Sequence, residues 1–547
     1  MSKNSKVYIW LPLCIAIGIG IGILIGNLFS KNGLSSDLFK RSEGKLNTIF
    51  EYVDKAYVDT VNMNDLVERA IPEILAGLDP HSAYIPAKDM EVQGGEVEGY
   101  FGGIGVEFMM QQDTISIVNV IPGGPSEAVG IFPGDRIVYV NDSLFAGKGI
   151  TQEKVIRNLR GKVGSKVKLG VRRTAMPDIL NFEVTRAEVP VKSVEVAYMI
   201  TNKIGYIKIR SFSVNTYNEF ISAIAKLKAQ KCEAFIIDLQ QNGGGSFEAS
   251  FLMANEFLKA GDLIVYTEGR AYPRKDLYAD GRGTCQQEQV VILLDETSAS
   301  ASEVFSGALQ DNDRALIMGR RSFGKGLVQS QHVFKDGSAI RLTIARYHSP
   351  SGRCIQKEYE KGNSQAYSQD LINRYMRGEF DSQDSIKTDN LPLFHTIAGR
   401  PVYGNEGIMP DIFVPRDTIG QNSYYIKVFN SGAVREYAFN YSNQNRETLG
   451  KFKNWQDANE YLIKQPLLQN LVAYAETKGV RRRPYLIAES GNLLESQLRA
   501  LIIRNIYGDD GFYPILLKDE LLINKAITVI ENNKATPESI GKEQYKN

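Results

Sequence analysis

Four serines stand close together in the stretch Thr297–Asp311, TSASASEVFSGALQD, which follows the apolar run VVILLD. The stretch looks like the start of a helix, where free backbone N–H groups and the helix dipole stabilise negative charge. A serine at such a place is a candidate nucleophile for acyl transfer. Ser300 and Glu303 also match a capping box, in which serine and glutamate together satisfy a helix start. The spacing alone favours the capping interpretation, and the nucleophile stays an alternative.

A serine nucleophile needs a base, and none of the chain's four histidines stands near this stretch. His332 and His348 are the nearest, and both lie on or after later strands. Lysine is the known alternative, and Lys325 stands between two glycines in RSFGKGLVQSQ. Its amine must be neutral to accept a proton, so its pKa must fall from about 10.4. Gln329 can orient that amine without adding charge, whereas the ordinary interpretation of Lys325 is a solvated turn lysine.

A second loop offers backbone donors. The stretch DLQQNGGGSF leaves an apolar strand and enters Gly243, Gly244 and Gly245. Such a loop can bind an anion or an oxyanion, or it can be a tight turn. A P-loop is excluded because no Lys-Ser/Thr pair follows at the required spacing. Because the glycines and the serines both follow apolar strands, we expect them to meet at one edge of a sheet.

Length and composition limit the class of protein. The 547 residues are enough for about three or four domains. A net charge of +1 gives no sign of nucleic-acid binding. The four cysteines form no CxxC pair and no metal-ligand spacing with histidine, so we expect no metal, no cofactor and no disulfide framework. Asp79 and His81 share the turn GLDPHS, where we expect a structural role.

The N-terminus carries an uncharged stretch, residues 7–29, after Lys3 and Lys6. Its length suffices to span a bilayer and exceeds the apolar region of an ordinary cleaved signal peptide. We therefore predict that residues 1–30 form a cytoplasmic tip and an uncleaved signal anchor in the cytoplasmic (inner) membrane. The two lysines hold the N-terminus inside, which places the rest of the chain on the periplasmic, extracytoplasmic side.

The remaining chain divides by its pattern. Residues 31–90 are predicted to be helical, and residues 91–180 have the short strands and glycines of a small β-rich module. Residues 181–416 alternate apolar strands with amphipathic helices, the βαβ pattern of a parallel sheet covered on both faces. Within them, the polar residues 356–400 are predicted to be a surface insertion. Residues 417–547 are predicted to be a helical extension without a catalytic constellation.

These motifs together resemble the carboxyl-terminal processing peptidases, also called tail-specific proteases. The resemblance covers most of residues 45–416 and rests on LDPHSAYIP, GYFGGIGVEF, DLQQNGGG, TSASASEVFSGALQD and GRRSFGKGLVQ, in that order. It implies an α/β protease core, a βαβ superhelix of the crotonase and ClpP type, with an inserted PDZ domain. The long helical tail resembles that of members from Bacteroidetes-type bacteria.

Carried over residue by residue, the resemblance implies roles for the site. Ser300 becomes the nucleophile, Lys325 the general base, and Gln329 the residue that supports the lysine. The oxyanion hole would consist of the backbone N–H groups of Ala301 and of a loop glycine. We choose Gly244 for the latter, with Gly245 as the next choice in the loop.

The implied PDZ domain suggests how a substrate is recognised. Its carboxylate-binding loop would bind the C-terminus of a protein through backbone N–H groups, and it comprises Phe101, Gly102, Gly103, Ile104 and Gly105. Arg160 is a candidate for coupling this domain to the active site, against the default of a surface arginine. The family commonly has Asp-Leu-Arg before its glycine loop, whereas this chain has Gln240, which puts the anchoring of that loop in question.

The sequence thus predicts a membrane-anchored serine endopeptidase that acts on proteins with exposed apolar C-termini through an acyl-enzyme. A catalytically silent PDZ scaffold is disfavoured because Ser300, Lys325 and Gln329 are all present. An acyl-CoA enzyme with a related βαβ superhelix is disfavoured by the PDZ domain and the anchor. The expected partners are protein substrates and the membrane, through residues 7–29, and not nucleic acid. A homodimer and an adaptor protein both stay open.

Overall fold

The structure is a computed structural model that describes residues 36–93, 98–111, 114–147, 149–173 and 176–532. The anchor predicted at residues 7–29 lies outside these ranges. Among the helices within them, none is long and apolar enough to cross a membrane. The chain forms two compact units, of which the first ends at Ile74 and the second begins at Leu75. The first unit contains helix α1 (Ser36–Ala56) and most of helix α2 (Met63–Ala76).

The second unit begins with two short elements and a β-rich module. The short elements are β1 (Ala83–Ile85) and α3 (Ala87–Gln93). The module contains β2 (Tyr100–Gly103), β3 (Val106–Gln111), β4 (Thr114–Val120), α4 (Pro125–Ala128), β5 (Arg136–Val140), β6 (Ser143–Leu144), α5 (Gln152–Leu159), β7 (Lys166–Arg172), β8 (Leu180–Thr185) and β9 (Ala187–Pro190).

Antiparallel pairing builds this module. One sheet has the order β3-β4-β5-β7-β8, with β6 beside β5, and β2 pairs separately with β9. Its core contains Ile115, Ile117 and Ile137, which are fully buried. In the described part of the sheet, β3 is an edge strand that pairs only with β4.

The core of the second unit is a six-stranded sheet, here called the main sheet. Its strands are β10 (Val194–Met199), β11 (Ile204–Ile209), β12 (Ala234–Asp238), β15 (Gln289–Leu294), β16 (Leu316–Gly319) and β21 (Ile412–Phe413), in this spatial order. Only β10 runs antiparallel to its neighbour, and the others are parallel. Parallel strands covered on both faces are continuously apolar, as VVILL in β15 is.

Helices cover both faces of the main sheet. One face packs against α6 (Thr216–Ala229), α7 (Phe247–Asn255) and α8 (Ala301–Asp311). The other face packs against α17 (Leu521–Glu531), close to the C-terminal end of the described chain. The prediction of a βαβ core is therefore confirmed, and its second face is covered by a helix from far along the chain.

The second unit also contains a further, five-stranded sheet. It has the order β1-β18-β13-β14, and β17 also pairs with β18. Its further strands are β13 (Leu263–Glu268), β14 (Lys275–Tyr278), β17 (Leu327–Val333) and β18 (Ala339–His348).

The prediction of a surface insertion at residues 356–400 is wrong in part. This segment contains helix α9 (Ser364–Met376), the 3-10 helix Gln383–Ser385 and strand β19 (Leu393–His395), which pairs with β20 (Pro401–Tyr403). Arg374 in α9 is fully buried. Its guanidinium donates to the carbonyl oxygens of Arg321, at 2.7 Å, and Ser322, at 3.0 Å. The polar composition of residues 356–400 suggested that the segment is exposed. Arg374 is nevertheless buried, because it binds backbone carbonyls of the core.

The described residues 417–532 form a helical region that we call the helical extension. Its helices are α10 (Ser423–Asn430), α11 (Ala433–Gln444), α12 (Arg446–Leu449), α13 (Trp455–Ile463), α14 (Leu467–Thr477), α15 (Pro484–Tyr507), α16 (Asp509–Leu516) and α17. Leu494 and Leu498 on α15 are fully buried in its core, and Leu501 packs at the edge of that core. The helical prediction for this region is confirmed.

Candidate active site

Three neighbouring strands of the main sheet carry the predicted catalytic loops at their carboxyl ends. β12 lies beside β15, and β15 lies beside β16. The glycine loop (residues 240–245) follows β12, the serine loop (residues 295–300) follows β15, and the lysine loop (residues 320–326) follows β16. Sites of parallel α/β sheets form at this edge. The expected meeting of the glycine and serine loops is confirmed.

The glycine loop lies directly against the serine loop. A Cβ atom added to Gly244 would lie 2.7 Å from Ser300 Cβ and 2.9 Å from the backbone nitrogen of Ala301. Gly244 also has a φ of +97°, which favours glycine. A side chain at this position would therefore push the two loops apart.

Asn242 holds the glycine loop against the serine loop. It is fully buried, and its Nδ2 donates to the carbonyl of Ile209 at the end of β11, at 2.9 Å. Its backbone oxygen accepts from the backbone N–H of Ala299, at 3.0 Å, and from Ser302 Oγ, at 2.9 Å. One residue thus joins the glycine loop, the serine loop and strand β11, a role that the sequence did not reveal.

The choice of Gly244 as an oxyanion donor is not supported by this geometry. Its N–H group donates to Asn242 Oδ1 at 2.9 Å and is already satisfied. By contrast, the N–H groups of Gly245 and Ala301 have no hydrogen-bond partner in the described chain. Gly245 is exposed, and its Cα faces the carbonyl of Phe212 so closely that a Cβ would lie 1.9 Å from that oxygen. Gly245, the second choice, fits the role better.

The four serines differ in what their hydroxyl groups do. The Oγ atoms of Ser298, Ser302 and Ser306 each donate to a backbone carbonyl, at 2.8, 2.9 and 2.6 Å. All three are fully buried. Ser300 instead forms a capping box with Glu303 at the start of α8, and it borders a cleft. Ser300 is therefore the serine of this stretch whose hydroxyl is placed to react.

Ser300 also has an unusual backbone. Its φ of 57° and ψ of −112° lie outside the regions that residues with a side chain ordinarily adopt. Such a conformation costs about 1–3 kcal/mol and is found where surrounding structure imposes it. It turns the chain sharply between β15 and α8, so that the serine side chain stands at the rim of the sheet.

Glu303 links the nucleophile loop to the lysine loop. Its side chain is fully buried, and Oε2 accepts from the backbone N–H groups of Ser300, at 2.7 Å, and Lys325, at 2.8 Å. Oε1 accepts from Ser322 Oγ, at 2.5 Å, and from the N–H of Gly324, at 2.7 Å. The carboxylate thus receives four donors from two loops.

Burial raises the pKa of Glu303, while the hydrogen bonds from Ser322, Lys325, Gly324 and Ser300 act in the opposite direction. The sequence predicted the bond to Ser300 as half of a capping box. It did not predict the bonds to the lysine loop, because they depend on how β15 and β16 pair. The capping box was the signal that pointed to this residue.

Lys325 lies half-buried in the lysine loop and borders the same cleft as Ser300. Burial lowers the pKa of its amine, the nearby cation of Arg341 lowers it further, and the carboxylate of Glu303 opposes this. In the described chain no carboxylate forms an ion pair with its Nζ. At a pH below the ordinary pKa of lysine, a larger fraction of this amine is therefore neutral than of a solvated lysine.

Gln329 is held by the turn that the sequence marked as structural. Gln329 Nε2 donates to the carbonyl of His81 at 2.7 Å. The turn is fixed by Asp79, whose Oδ1 accepts from the N–H of His81 at 2.9 Å, and His81 Nε2 lies 2.9 Å from Tyr367 Oη. Burial, followed by the charge of Lys325, lowers the pKa of His81 to about 4, so the ring is neutral near pH 7. The turn is structural, as predicted, and it also orients Gln329.

Lys208 anchors the glycine loop in place of the arginine that the resemblance led us to expect. Asp238 is buried at the end of β12, and Lys208 Nζ on β11 lies 3.0 Å from its Oδ1. The same amine donates to the carbonyl of Gln240 at 2.8 Å, and the N–H of Gln240 donates to Asp238 Oδ1 at 2.8 Å. Lys208 therefore neutralises Asp238 and anchors the glycine loop, which answers the question that Gln240 raised.

The five residues predicted to bind a substrate carboxylate lie in β2 and the turn that leads to β3. Phe101, Gly102 and Gly103 pair with β9, and Ile104 is buried. The guanidinium of Arg160 stacks over the ring of Phe101 at 3.9 Å. Arg160 and Phe101 both line the cleft that reaches Ser300.

This cleft joins the β-rich module to the three loops. Its volume is about 1890 Å³. Val106 and Glu107 of the edge strand β3 line one part of it, and Ser300, Lys325 and Gln329 line another. A peptide paired with the open edge of β3 and a peptide bond at Ser300 would lie in one continuous space.

Comparison with known families agrees with this arrangement. Residues 203–362 match peptidase family S41, and residues 102–186 match the PDZ domain. Residues 424–508, within the helical extension, match a family of unknown function (DUF8443).

Individual relatives cover much of the chain. A carboxy-terminal-processing protease of Bartonella bacilliformis is 33% identical over 313 residues, which are 56% of this chain and 71% of that protein. The carboxy-terminal processing protease CtpA of Bacillus subtilis is 32% identical over 315 residues, 57% of this chain and 66% of that protein. A solved photosystem II D1 C-terminal processing protease is 28% identical over 57% of this chain and 89% of its own, with a TM-score of 0.33. The chain belongs to peptidase family S41 and is a serine-type peptidase that carries a PDZ domain.

Proposed function

We propose that this chain is a membrane-anchored, C-terminal processing endopeptidase with a Ser300–Lys325 catalytic dyad. The observation that carries the proposal is that one buried carboxylate, Glu303, binds the backbone of both residues. The position of Ser300 at the cleft and the lowered pKa of Lys325 support the two roles. The names of the relatives from Bartonella and Bacillus support C-terminal processing as the reaction.

The chemistry is acyl transfer to serine and then to water. Neutral Lys325 takes the proton of Ser300 Oγ as this oxygen attacks the carbonyl carbon of the peptide bond. The resulting oxyanion is stabilised by the N–H groups of Ala301 and Gly245. The lysine ammonium then gives its proton to the leaving amine, which restores neutral Lys325. Water then attacks the ester carbonyl as the same lysine takes its proton. The lysine gives this proton to Ser300 Oγ as the ester bond breaks and the acid leaves.

Gln329 keeps the lysine in place during these steps. Its Nε2 is fixed by the carbonyl of His81, so its amide oxygen is the group left to accept from the amine of Lys325. A carboxylate in the same place would raise the pKa of the lysine and keep it charged. The neutral amide avoids that effect.

The PDZ domain selects the substrate. A protein C-terminus that adds as a strand to the open edge of β3 would place its carboxylate near the turn at Ile104 and Gly105. The chain before it can then follow the cleft past Arg160 towards Ser300. An unfolded protein with apolar C-terminal residues is the substrate that suits this path.

The anchor completes the proposal. Residues 7–29 would hold the enzyme at the cytoplasmic membrane, with the protease on the periplasmic side. A fusion of alkaline phosphatase to the C-terminus of the full chain tests this, because that reporter is active only outside the cytoplasm. An inactive fusion, or full-length protein in the soluble fraction, contradicts the anchor.

The enzyme activity is tested with the full chain in detergent and an unfolded protein that ends in apolar residues. We expect cleavage that disappears in both Ser300→Ala and Lys325→Ala. Binding of the same protein without cleavage by the unsubstituted chain would contradict the proposal and favour a PDZ scaffold.

A further inference from the structure

The helical extension contacts both the protease core and the PDZ domain. On the core side the contact is apolar and buried. Leu522, Ile523 and Ala526 of α17 are at most 2% exposed and pack on the face of the main sheet that holds Val291 and Leu316. Burial of this kind makes the extension a fixed part of the core.

On the PDZ side the contacts are polar. Gln111, the last residue of β3, is 2% exposed, and its Nε2 donates to Asn440 Oδ1 on α11 at 3.1 Å. The side chain of Asn443, one turn later, lies 3.5 Å from the point where a Cβ of Gly134 would be. The strand whose free edge is open to a peptide is therefore held at its end by the extension.

The extension also borders the path between the two sites. Arg504 and Asp509 form an ion pair with a 2.8 Å contact, and both line the cleft, as does Asp510. The hydroxyl of Tyr513 on α16 donates to the carboxylate of Glu195 on β10, the first strand after the PDZ domain. The extension thus contacts the PDZ domain, the segment after it and the wall of the cleft.

We propose that the helical extension is a positioning element, which holds the PDZ domain so that a C-terminus bound on β3 delivers the preceding chain to Ser300. This inference rests on the proposed function. A bound substrate reaches the dyad as an intramolecular partner, and its effective concentration there depends on a fixed distance between the two sites. Asn440 and Asn443 are positioning residues and touch neither substrate nor dyad.

The two sides of the extension differ in a way that allows a test. The apolar side holds it on the core, whereas the polar side, at Asn440 and Asn443, sets where the PDZ domain lies. Polar interfaces between domains permit relative motion more readily than large apolar ones. Single substitutions there can free the PDZ domain while the core stays folded.

The test compares Asn440→Ala and Asn443→Ala in the full chain, in detergent, on two substrates. One is an unfolded protein with an apolar C-terminus, and the other is a short amidated peptide that lacks a C-terminal carboxylate. We expect kcat/KM for the protein to fall roughly tenfold, with no change for the peptide or in the affinity of the PDZ domain for a free C-terminal peptide. Tm should fall slightly, because Asn440→Ala removes the acceptor of a buried amide. Lys451→Ala, which removes only an exposed ion pair with Glu447, is the control and changes neither substrate.

Equal rates on the protein substrate, a rise in rate, or an equal fall on both substrates would overturn the positioning role. These results are distinct from a failure of the proposed function. If Ser300→Ala still cleaves, the proposed function fails. If Ser300→Ala is inactive and the Asn440 and Asn443 variants show no selective loss, only the positioning role fails.

Discussion

The backbone N–H groups of Ser300 and Lys325 donate to the same oxygen atom, Oε2 of Glu303, at 2.7 and 2.8 Å. The residues that we propose as nucleophile and base come from different loops, and this atom fixes how far apart their backbones lie. Because the carboxylate is fully buried, it has no alternative partner in water. The geometry of the dyad therefore depends on a residue that does not react.

Replacement of Glu303 should damage both stability and turnover. Glu303→Ala leaves four donors without an acceptor, and we expect the free energy of unfolding to fall by at least about 3 kcal/mol. Glu303→Gln keeps the shape but places an amide N–H against a backbone N–H, so kcat should fall more than KM changes. Urea unfolding and steady-state kinetics measure the two effects. Glu248→Gln, on the exposed face of α7, is the control, and a Glu303→Gln enzyme with normal kcat would contradict the linking role.

The rate should rise with pH through the pKa of Lys325. Burial and the cation of Arg341 lower that pKa, so the rise in kcat/KM should be centred below the ordinary value of about 10.4. Since loss of the cation removes one cause of the lowering, Arg341→Gln should move the midpoint to higher pH. Arg346→Gln, an exposed arginine on the same strand, should leave it in place. Identical profiles for the two variants would contradict the contribution of Arg341 to the lowered pKa of Lys325.

The same pKa shift predicts an effect on stability. Below the ordinary lysine pKa the unfolded chain binds a proton that the folded state binds less well, so Lys325 opposes folding near pH 7. Lys325→Met should therefore raise the free energy of unfolding at pH 7. The gain should shrink as the pH rises towards 10.4, where lysine loses its proton in the unfolded chain as well. Unfolding curves at several pH values check this, and a gain that stays constant across them would contradict it.

The backbone of Ser300 predicts a difference between two inactive variants. Glycine tolerates a φ of 57°, whereas alanine does not. Ser300→Gly should therefore be more stable than Ser300→Ala by about 1 kcal/mol, although both lack the nucleophile. Thermal and urea unfolding of the pair measure this. A less stable glycine variant would show that the serine backbone is not strained.

The three consecutive glycines should respond differently to alanine. A Cβ on Gly243 meets no atom within 4 Å, whereas one on Gly244 meets Ser300 and one on Gly245 meets the carbonyl of Phe212. Gly243→Ala should retain activity, and the other two should lose at least about a hundredfold in kcat. Peptide cleavage measures the activity of all three variants. A Gly245→Ala enzyme with normal activity would contradict the role of Gly245 in the oxyanion hole.

The strand pattern and the local motifs were readable from the sequence, because each depends on neighbours along the chain. The apolar runs before Gly243, Ser300 and Lys325 marked three parallel strands, and parallel strands end at one edge. The choice of Lys325 as base rested on the resemblance and on the absence of a nearby histidine. These inferences needed no knowledge of which side chains meet across the fold.

The contacts that depend on tertiary pairing could not be read in this way. Glu303 meets the lysine loop only because β15 pairs with β16, and Lys208 meets Asp238 only because β11 pairs with β12. Likewise, the N–H of Gly244 is taken by a side chain two residues earlier, which no pattern of glycines reveals. Arg374 was predicted to lie in a surface segment because its neighbours along the chain are polar. The backbone carbonyl of Arg321, to which it donates, is far away in the sequence.

The central claim is that Ser300 is the nucleophile and that Lys325 activates it. The most direct measurement is mass spectrometry of the full chain after reaction with a serine-directed fluorophosphonate, with peptide mapping of the adduct. We predict a single adduct on Ser300 that forms faster as the pH rises, and none in Lys325→Ala over the same time. An adduct on another residue, or one that forms on Ser300 at the same rate without Lys325, would contradict the account.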